Sequence, residues 1–349
     1  MPPSGIPLRR LVLRSLRSVE RNVHLVLDPI RLGLSIPQVI WALARHRPAA
    51  IFTTGGYVAI PVLIAARLLR IPTLMWEGNV IPGRSVRATA RFASALAVSF
   101  APTCAALNGG TRCLVTGTPI RDIASINRLA ARERLGLAPR DRLLVVFGGS
   151  QAVRRLNAAV EGAVPELVKT AAVVHVAGAE GMAGAIAARE ALSADMRDRY
   201  RPAEFLGEGL LDALAAADML VGRAGSSTLA EATAFGLPMV VIPYPYAGAH
   251  QRANAAAQAD AGAATFIEDE ALTAETLLEA VKVLADPAKH AAMAAAARSL
   301  GRPGAADAVA EIVLALAERR SLPDAAAVDR IAIAQLGGGS APSSARAGA

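Results

Sequence analysis

The sequence predicts an α/β protein built from two parallel, doubly wound sheets. Short runs of β-branched and apolar residues alternate with Ala-rich helical segments along most of the chain, and glycine-rich turns follow several of these runs. The chain has 349 residues, which is enough for two domains of roughly 100–200 residues each. An apolar fraction of 53% excludes a disordered protein.

The predicted strands divide the chain into two sets. The first set comprises residues 50–53, 73–76, 95–100 and 113–116. The second set comprises residues 143–147, 172–176, 203–206, 219–221, 239–242 and 264–267, with helices between them, for example at 154–168, 228–235 and 250–261. We therefore expect domains at 1–120 and 142–321, a linker at 121–141 that is rich in Arg, Ala and Leu, and a flexible, low-complexity tail at 322–349.

Charge is distributed unevenly along the chain. Residues 1–100 contain 13 Arg and three acidic residues, a net charge of +10, so the other 249 residues sum to −2 in a chain of net charge +8. This asymmetry indicates an anionic partner for the first domain: nucleic acid, a phosphate-bearing substrate or an acidic membrane surface.

The cysteine content and the apolar stretches bear on two questions: which cellular compartment to expect, and whether the chain has a transmembrane segment. Cys104 and Cys113 are too few for a disulfide framework and lack metal-ligand spacing, which favours a reducing, intracellular compartment. The charge-free stretches 48–66 and 232–249 contain Gly and Pro within them, so we predict buried strands and helices there and no transmembrane segment.

Two loops of the second domain have the composition of phosphate-binding turns. Gly148-Gly149-Ser150-Gln151 follows one strand, and 223–228, Arg-Ala-Gly-Ser-Ser-Thr, follows another and leads into a helix carrying Glu231. Glycines let a ligand approach the backbone, and free helix N–H groups suit a phosphate. A carboxylate one turn into the helix suits ribose hydroxyls. Each loop has a simpler interpretation: a tight turn for Gly148-Gly149, and a capping box for Thr228 and Glu231.

Other polar residues follow strands at the same expected sheet edge. Gln251, next to His250, is placed to hold a sugar hydroxyl, although an exposed helix start would also explain it. The remaining histidines stand alone, and the acidic run 268–270 resembles a solvated turn, so no metal or other cofactor is predicted. In the first domain the loops 53–57, 76–79 and 117–121 each carry a polar or charged side chain after a strand.

Taken in order, these loops resemble the MurG family of UDP-N-acetylglucosamine:lipid-linked muramyl-pentapeptide glycosyltransferases. The resemblance runs from about residue 8 to about residue 319 and rests on six collinear motifs: TTGGY at 53–57, WEGN at 76–79, GTPIR at 117–121, GGSQ at 148–151, RAGSSTLAE at 223–231 and HQRAN at 250–254. It implies the GT-B fold, in which two Rossmann-like domains face a cleft that holds the active site.

The resemblance implies a UDP-GlcNAc site made mostly by the second domain. Ser150 and the loop comprising Ser226, Ser227, Thr228, Leu229, Ala230 and Glu231 would hold the diphosphate and ribose, with Glu231 on the ribose hydroxyls. Leu206, at a strand end, would lie at the uracil, and Gln251 would contact the sugar. Asn79 and Arg121 would reach in from the first domain, and Gly55, Gly56 and Tyr57 would face the acceptor diphosphate.

The chain departs from the family pattern in three places. Trp76 and Gly78 replace the usual His and Gln beside Asn79, and Ala152 replaces the Gly that usually follows GGSQ. The family also opens with a strand and a glycine-rich loop whose histidine is proposed as a general base or acceptor-site group. That opening is absent, so we expect an N-terminally truncated first domain and assign no catalytic base, with Glu77 the one candidate.

The implied activity is an inverting, metal-independent hexosyl transfer from UDP-GlcNAc to the C4 hydroxyl of muramic acid in undecaprenyl-diphosphate-MurNAc-pentapeptide. That reaction belongs to peptidoglycan synthesis, and thus to cell-wall biogenesis, cell shape, cell division and the cell cycle. We expect the enzyme at the cytoplasmic face of the membrane as a peripheral protein, with no nucleic-acid partner. Anionic lipid would bind the basic start of the chain, from Arg9 to Arg17, together with the apolar run 32–40.

Three alternatives remain open at the level of sequence. Another GT-B glycosyltransferase would share the donor loops and differ on the acceptor side. A GT-B sugar-nucleotide epimerase would isomerise its substrate without an acceptor. A non-catalytic protein would bind UDP-GlcNAc, or dock on a membrane, and transfer nothing.

Overall fold

The computed structural model describes residues 7, 8, 11, 24–107, 110–138, 140–149, 154–245 and 250–334. Within these residues the chain forms two compact units. The first consists of residues up to Gly117 together with Asp307–Asp329, and the second consists of Thr118–Ala306 together with the described residues from Arg330 onward. Arg9, Arg10, Arg14 and Arg17, the basic residues expected to dock on lipid, and Ser150 of the GGSQ loop lie outside the described residues.

The first unit contains a parallel sheet of four strands in the order β1-β2-β3-β4. The strands are β1 Ile51–Thr53, β2 Thr73–Glu77, β3 Ala95–Val98 and β4 Arg112–Val115. The helices before and between them are α1 His24–His46, α2 Ala59–Leu68, α3 Arg84–Thr89 and α4 Ala101–Ala106. Because β2 and β3 are apolar on both faces, their side chains pack against helices on either side, with Leu63, Met75 and Leu96 in the core.

The second unit contains a parallel sheet of six strands in the order β7-β6-β5-β8-β9-β10. Its strands are β5 Leu143–Phe147, β6 Ala172–Val176, β7 Tyr200–Ala203, β8 Met219–Gly222, β9 Met239–Val241 and β10 Ala264–Phe266. The helices that begin within it are α5 Arg128–Arg134, α6 Arg154–Thr170, α7 Gly178–Glu190, α8 Gly209–Ala216, α9 Ser226–Ala234, α10 His250–Asp260, α11 Ala274–Ala285, α12 Pro287–Leu300 and α13 Ala305–Ala317. Counted from β5, this is the strand order 3-2-1-4-5-6 of doubly wound nucleotide-binding sheets.

The strand order of the second unit reverses between β5 and β8. These two neighbours are paired in parallel, with Phe147 opposite Gly222 at their carboxyl ends. In open α/β sheets, ligands bind outside the carboxyl ends of the strands at such a reversal point. The fold therefore places the loops after β5 and β8 where a ligand is expected.

The predicted strands occur close to their predicted positions, with one clear shift. The strand expected at 203–206 is β7, Tyr200–Ala203. Pro202 lies within it, opposite His175 of β6, which is tolerated because β7 is an edge strand and Pro has no N–H to donate. Leu206 consequently lies in the loop after the strand and not at the strand end.

The predictions of a linker at 121–141 and of a flexible tail at 322–349 are both partly wrong. Residues from Thr118 onward belong to the second unit, because Arg128 and Arg132 bind the carboxylate of Asp218 at 2.7 and 3.4 Å. Asp218 also accepts the backbone N–H of Leu143, which ties this segment to the start of β5. Within the expected tail, residues Ala325–Ile333 form helix α14, which begins with Asp324 accepting the N–H of Ala327.

The two cysteines, too few for a disulfide framework, nevertheless form one disulfide. Cys104 of α4 and Cys113 of β4 form a disulfide, with their Cα atoms 5.8 Å apart. The two residues are nine positions apart in the sequence, and their places in α4 and β4 bring them side by side.

A buried polar network connects β6 with β7 and α6. The Nδ1 atom of His175 is 2.7 Å from the hydroxyl of Tyr200, and its Nε2 atom is 3.1 Å from Oδ1 of Asn157. Asn157 in turn donates to the carbonyl of Ala177 at 2.8 Å. Since Oδ1 of Asn157 accepts, Nε2 of His175 carries the proton and Nδ1 accepts from Tyr200, which is the neutral tautomer. Burial lowers the pKa of His175 to about 4 and, together with Glu161, raises that of Tyr200.

We expect this histidine to make the second unit acid-sensitive. The folded state takes up the proton only near a pKa of about 4, whereas the unfolded chain takes it up near 6.5, so acid favours unfolding. Stability should fall by about 2 kcal/mol between about pH 7.5 and about pH 5, from a shift worth about 1.4 kcal/mol per pKa unit. Urea unfolding at the two pH values measures this. A His175→Gln variant should lose that part of the pH dependence, and an equal dependence in both proteins would contradict the assignment.

Candidate functional site

The carboxyl ends of β5 and β8 approach each other closely. A Cβ atom at Gly222 would lie 2.7 Å from the carbonyl oxygen of Phe147, so glycine is required there by lack of space. Gly149, two residues after β5, has a φ of +76°, which also favours glycine. Gly149, one of the glycines predicted to form a phosphate turn, is therefore also favoured by the backbone path itself.

Helix α9 begins directly after the β8 loop without a capping side chain. Its N-cap residue is Gly225, and the first intrahelical bond runs from the N–H of Leu229 to the carbonyl of Gly225. The N–H groups of Ser226, Ser227 and Thr228 thus have no acceptor within the helix. The capping-box interpretation of Thr228 and Glu231 is wrong, because Thr228 lies inside the first turn. This helix start fits an anion.

Glu231 is buried in the same helix and is paired with Arg121. Its Oε1 atom accepts from Nη2 and Nε of Arg121 at 3.1 and 3.3 Å. Nη1 of Arg121 lies 3.5 Å from the carbonyl of Gly207, which follows Leu206. The structure therefore brings Arg121, Glu231 and the 206–207 loop together. Arg121 belongs to the second unit, contrary to the expectation that it reaches in from the first.

The neighbouring residues of α9 differ in exposure. Ser227 is exposed and Ser226, Thr228 and Ala230 are half-buried, whereas Leu229 is buried in the core. The contact predicted for Leu229 cannot involve its side chain or its N–H group, because both are occupied inside the unit.

Helix α10 supports the β8 loop. Asn254 is fully buried and donates from Nδ2 to the carbonyl of Ala224 at 3.1 Å. Gln251 accepts the backbone N–H of Tyr244 at its Oε1 atom, at 2.9 Å. The carbonyl end of Gln251 therefore fixes the loop after β9, and its amide nitrogen is the end left for the predicted sugar contact.

A buried ion pair beneath the β8 loop was not predicted from the sequence. Nη1 of Arg223 lies 2.5 Å from Oδ1 of Asp269, and Arg155 lies 3.3 Å from the other carboxylate oxygen. Asp269 belongs to the acidic run that was expected to be a solvated turn, yet only 8% of its surface is exposed. The sequence feature that could have indicated this pair is Arg223, a single arginine in a loop of otherwise small residues. Its function is to hold the β8 loop against the turn that follows β10.

The first unit presents a glycine turn after β1. Gly55 and Gly56 have φ values of +76° and +82°, in the left-handed region that favours glycine. A Cβ atom at Gly55 would also lie 2.6 Å from Cγ2 of Val86. The N–H of Gly55 donates to Oγ1 of Thr53, and half-buried Tyr57 follows.

Glu77, the candidate base, is engaged in its own loop. Its Oε1 atom accepts from the backbone N–H and the side-chain amide of Asn79, both at 2.9 Å, and its Oε2 atom accepts the N–H of Gly83 at 3.0 Å. Both carboxylate oxygens thus shape the loop after β2. The geometry favours a positioning role for Glu77 over proton abstraction.

Trp76 performs a structural role in this unit. Its Nε1 atom donates to the carbonyl of Gly117 at 3.0 Å, which joins the end of β2 to the loop after β4. The residue that departs from the family pattern therefore ties together two of the loops that carry the resemblance.

The described residues contain neither a cluster that could hold a metal ion nor a helix that could cross a membrane. Within that part of the chain, no group of three or more His, Cys, Asp or Glu residues is arranged to hold a metal ion. None of the helices described is both long enough and apolar enough to span a membrane.

Each of the two units matches the model of a known protein family. Residues 2–98 match the Glycosyltransferase family 28 N-terminal domain, and residues 143–312 match the Glycosyltransferase family 28 C-terminal domain. Similar structures with lower identity include a UDP-N-acetylglucosamine 2-epimerase from Listeria monocytogenes, at 15% identity and a TM-score of 0.62, covering 84% of this chain and 81% of that one, which shows likeness of fold alone.

Individual relatives and a solved structure show which branch of this broad family the chain resembles. The UDP-N-acetylglucosamine--N-acetylmuramyl-(pentapeptide) pyrophosphoryl-undecaprenol N-acetylglucosamine transferase of Desulforudis audaxviator is 35% identical over 91% of this chain and 86% of its own length. The protein of the same name from Roseiflexus sp. is 37% identical over 91% and 80%. The crystal structure of Acinetobacter baumannii MurG matches with a TM-score of 0.72 and 26% identity, over 89% of this chain and 85% of that one.

The two parallel-sheet units and these matches confirm the predicted GT-B fold and glycosyltransferase class. The chain belongs to glycosyltransferase family 28 and, within it, to the MurG family.

Proposed function

We propose that this enzyme transfers N-acetylglucosamine from UDP-N-acetylglucosamine to the C4 hydroxyl of the muramic acid in undecaprenyl-diphosphate-MurNAc-pentapeptide. The observation that carries the proposal is the open start of α9 at the point where the strand order reverses, with buried Glu231 one turn along the helix. Two relatives, 35% and 37% identical to this chain, carry the name UDP-N-acetylglucosamine--N-acetylmuramyl-(pentapeptide) pyrophosphoryl-undecaprenol N-acetylglucosamine transferase.

The geometry of the second unit supports the following donor contacts. The free N–H groups of Ser226, Ser227 and Thr228 suit the diphosphate, and the helix dipole stabilises its charge. Glu231 accepts from the ribose hydroxyls, Leu206 lies at the uracil and Gln251 donates from its amide to the sugar. Ser150 and Ala230 complete the donor contacts. Arg121, which now binds Glu231, is within reach of the same ligand and adds positive charge near the diphosphate.

The reaction needs no redox partner. The acceptor oxygen forms a bond to the anomeric carbon of GlcNAc while the bond from that carbon to the UDP oxygen breaks, which inverts the configuration. The hydroxyl proton passes to a base that the described residues do not identify. Negative charge develops on the departing diphosphate, so fixed N–H donors at α9 stabilise the transition state more than the ground state.

The first unit supplies the acceptor side in this proposal. The turn formed by Gly55, Gly56 and Tyr57 faces the acceptor diphosphate, and Asn79, oriented by Glu77, lies at the end of the neighbouring strand. The transfer belongs to peptidoglycan synthesis, and therefore to cell-wall growth, cell shape and cell division.

We place the enzyme peripherally on the cytoplasmic face of the membrane, on an anionic lipid surface. Helix α1 buries Ser35 and Val39 on one side, while Ile30, Leu34 and Trp41, which share the opposite side, are each more than half exposed. An exposed apolar face beside basic residues is typical of helices that lie in a lipid interface.

Vesicle sedimentation tests the membrane location. Replacing Ile30, Leu34 and Trp41 by serine should reduce binding to vesicles containing phosphatidylglycerol, because the apolar surface available to enter the interface is removed. Replacing the exposed Ile186 and Leu314 by serine is the matched control. Unchanged vesicle binding in the triple variant would place the membrane surface elsewhere.

Release of UDP tests the transfer and separates the alternatives. With the lipid-linked acceptor present, UDP-GlcNAc should release UDP and excess UDP-glucose should compete poorly. Equal use of UDP-glucose would favour another GT-B glycosyltransferase. Isomerised UDP-GlcNAc in the absence of acceptor would favour an epimerase. Tight donor binding with no UDP release would indicate a non-catalytic binding protein.

A further inference from the structure

A cavity lies in the first unit, at the amino ends of β1 and β2. It has a volume of about 470 Å³, and two of its walls are residues 48–49, just before β1, and residues 71–72, just before β2. The loops proposed to bind the acceptor follow the carboxyl ends of these same strands. The cavity is therefore separated from those loops by the length of the strands, and it is unrelated to the proposed transfer site.

Three arginines line this cavity: Arg47, Arg70 and Arg319. The rest of its lining is apolar or small and includes Leu43, Leu69 and Pro72, and no acidic residue takes part. Within the described residues, the guanidinium groups of these three arginines make no hydrogen bond or ion pair. The nearby carboxylate of Glu318 is occupied by Arg320, at 2.5 Å.

The same three arginines have an unusual backbone conformation. Their φ values are +44°, +55° and +54°, and among the described residues they are the non-glycine residues with positive φ. Each follows the end of a helix: α1, α2 and α13 respectively. Helix ends of this type usually carry glycine, because a side chain in the left-handed region is disfavoured.

The second unit supplies an internal comparison. Gly136, Gly236 and Gly262 occupy the equivalent position after α5, α9 and α10, with φ values of +59°, +68° and +76°. Gly136 and Arg70 even share the same pair of closing hydrogen bonds, made by the residue itself and by the one after it. Attraction between a positive charge and the helix dipole does not explain why arginine occupies these three positions. The ends of α5, α9 and α10 have glycine at the equivalent position.

We propose that this cavity binds a phosphate group carried by a molecule with an apolar part. Three guanidinium groups without carboxylate partners provide charge and paired N–H donors, which match phosphate oxygens. Leu43, Leu69 and Pro72 provide the surface for the attached carbon chain. The volume is in the range of small-ligand sites. The phosphate comes either from an anionic phospholipid headgroup or from a soluble phosphate compound, and these sources share the same chemistry.

The test replaces all three arginines by glycine, Arg47→Gly, Arg70→Gly and Arg319→Gly, in the full chain. Glycine suits a positive φ, so the variant should remain folded, which thermal unfolding verifies. The matched control removes three exposed positive charges from the second unit through Arg140→Gln, Arg154→Gln and Lys289→Gln. Both variants carry the same net charge, so a general loss of electrostatic attraction affects them equally.

Two probes are titrated at fixed ionic strength: inorganic phosphate by calorimetry, and vesicles of phosphatidylcholine with or without phosphatidylglycerol. The glycine variant should lose about tenfold or more in affinity for at least one probe, relative to both the natural chain and the control. Loss with vesicles alone identifies a lipid headgroup, and loss with phosphate identifies a soluble ligand. Equal affinities of the glycine variant and the control for both probes would overturn the proposal. Transfer activity does not enter either readout, so the result is independent of the proposed function.

Discussion

Replacing Arg223 by methionine is expected to destabilise the enzyme by about 3–5 kcal/mol, because removing one partner of a buried ion pair leaves the other charge uncompensated. Asp269 is almost fully buried, and the remaining partner, Arg155, is half exposed and lies 3.3 Å away. Urea unfolding of the Arg223→Met variant measures the loss. The loop after β8 should loosen with it, so UDP affinity should fall in the same variant.

Two further variants identify the cause of that loss. Arg154→Met removes an ion pair that is largely exposed on both sides, so it should change stability by about 0–1 kcal/mol. The double variant Arg223→Met with Asp269→Leu should recover much of the stability, since no unpaired charge remains buried. A double variant as unstable as Arg223→Met alone would show that packing, and not charge, is responsible.

Replacing Glu231 by alanine is expected to weaken UDP binding by about 1–3 kcal/mol, the usual cost of removing a charged hydrogen-bond partner. Calorimetric titration of UDP into the Glu231→Ala variant measures it. Titration of uridine separates two causes. A ribose contact predicts an equal loss for uridine and for UDP, whereas an effect through Arg121 on the diphosphate predicts a loss for UDP alone.

Glu166→Ala is the control for the Glu231 variant. Glu166 is exposed and is paired with Lys169 at 2.5 Å near the end of α6, beside the amino ends of the strands, so its removal takes away one negative charge at the sheet edge opposite to the β8 loop. UDP affinity should be unchanged in this control. Unchanged affinity in Glu231→Ala as well would remove Glu231 from the donor site.

The sequence predicted the sheets well because their strands are buried on both faces. In parallel sheets covered by helices, strands become continuous apolar runs, and β5, β6 and β8 are of this kind. The edge strand β7 was displaced in the prediction, because Pro202 reads as a break in a run although an edge strand tolerates it. The tail was misjudged because its Ala-rich start has little periodic character and α14 is short.

The candidate site was predictable in its loops and unpredictable in its side-chain partners. Glycine positions follow from backbone geometry that recurs in such folds, so Gly55, Gly149 and Gly225 were expected near ligands or turns. Partners far apart in the chain, such as Arg223 with Asp269 or Arg121 with Glu231, depend on tertiary packing that no local pattern encodes. The cavity lined by Arg47, Arg70 and Arg319 was missed for the same reason, since one of its walls comes from the other end of the chain.

The central claim, transfer of GlcNAc to a lipid-linked muramyl peptide, is tested most directly by the mass of the acceptor. The enzyme is incubated with UDP-GlcNAc and undecaprenyl-diphosphate-MurNAc-pentapeptide, and the acceptor is analysed by mass spectrometry. The account predicts that the acceptor gains the mass of one N-acetylhexosamine unit while an equal amount of UDP appears. An acceptor of unchanged mass, in the presence of enzyme that binds UDP-GlcNAc, would contradict it.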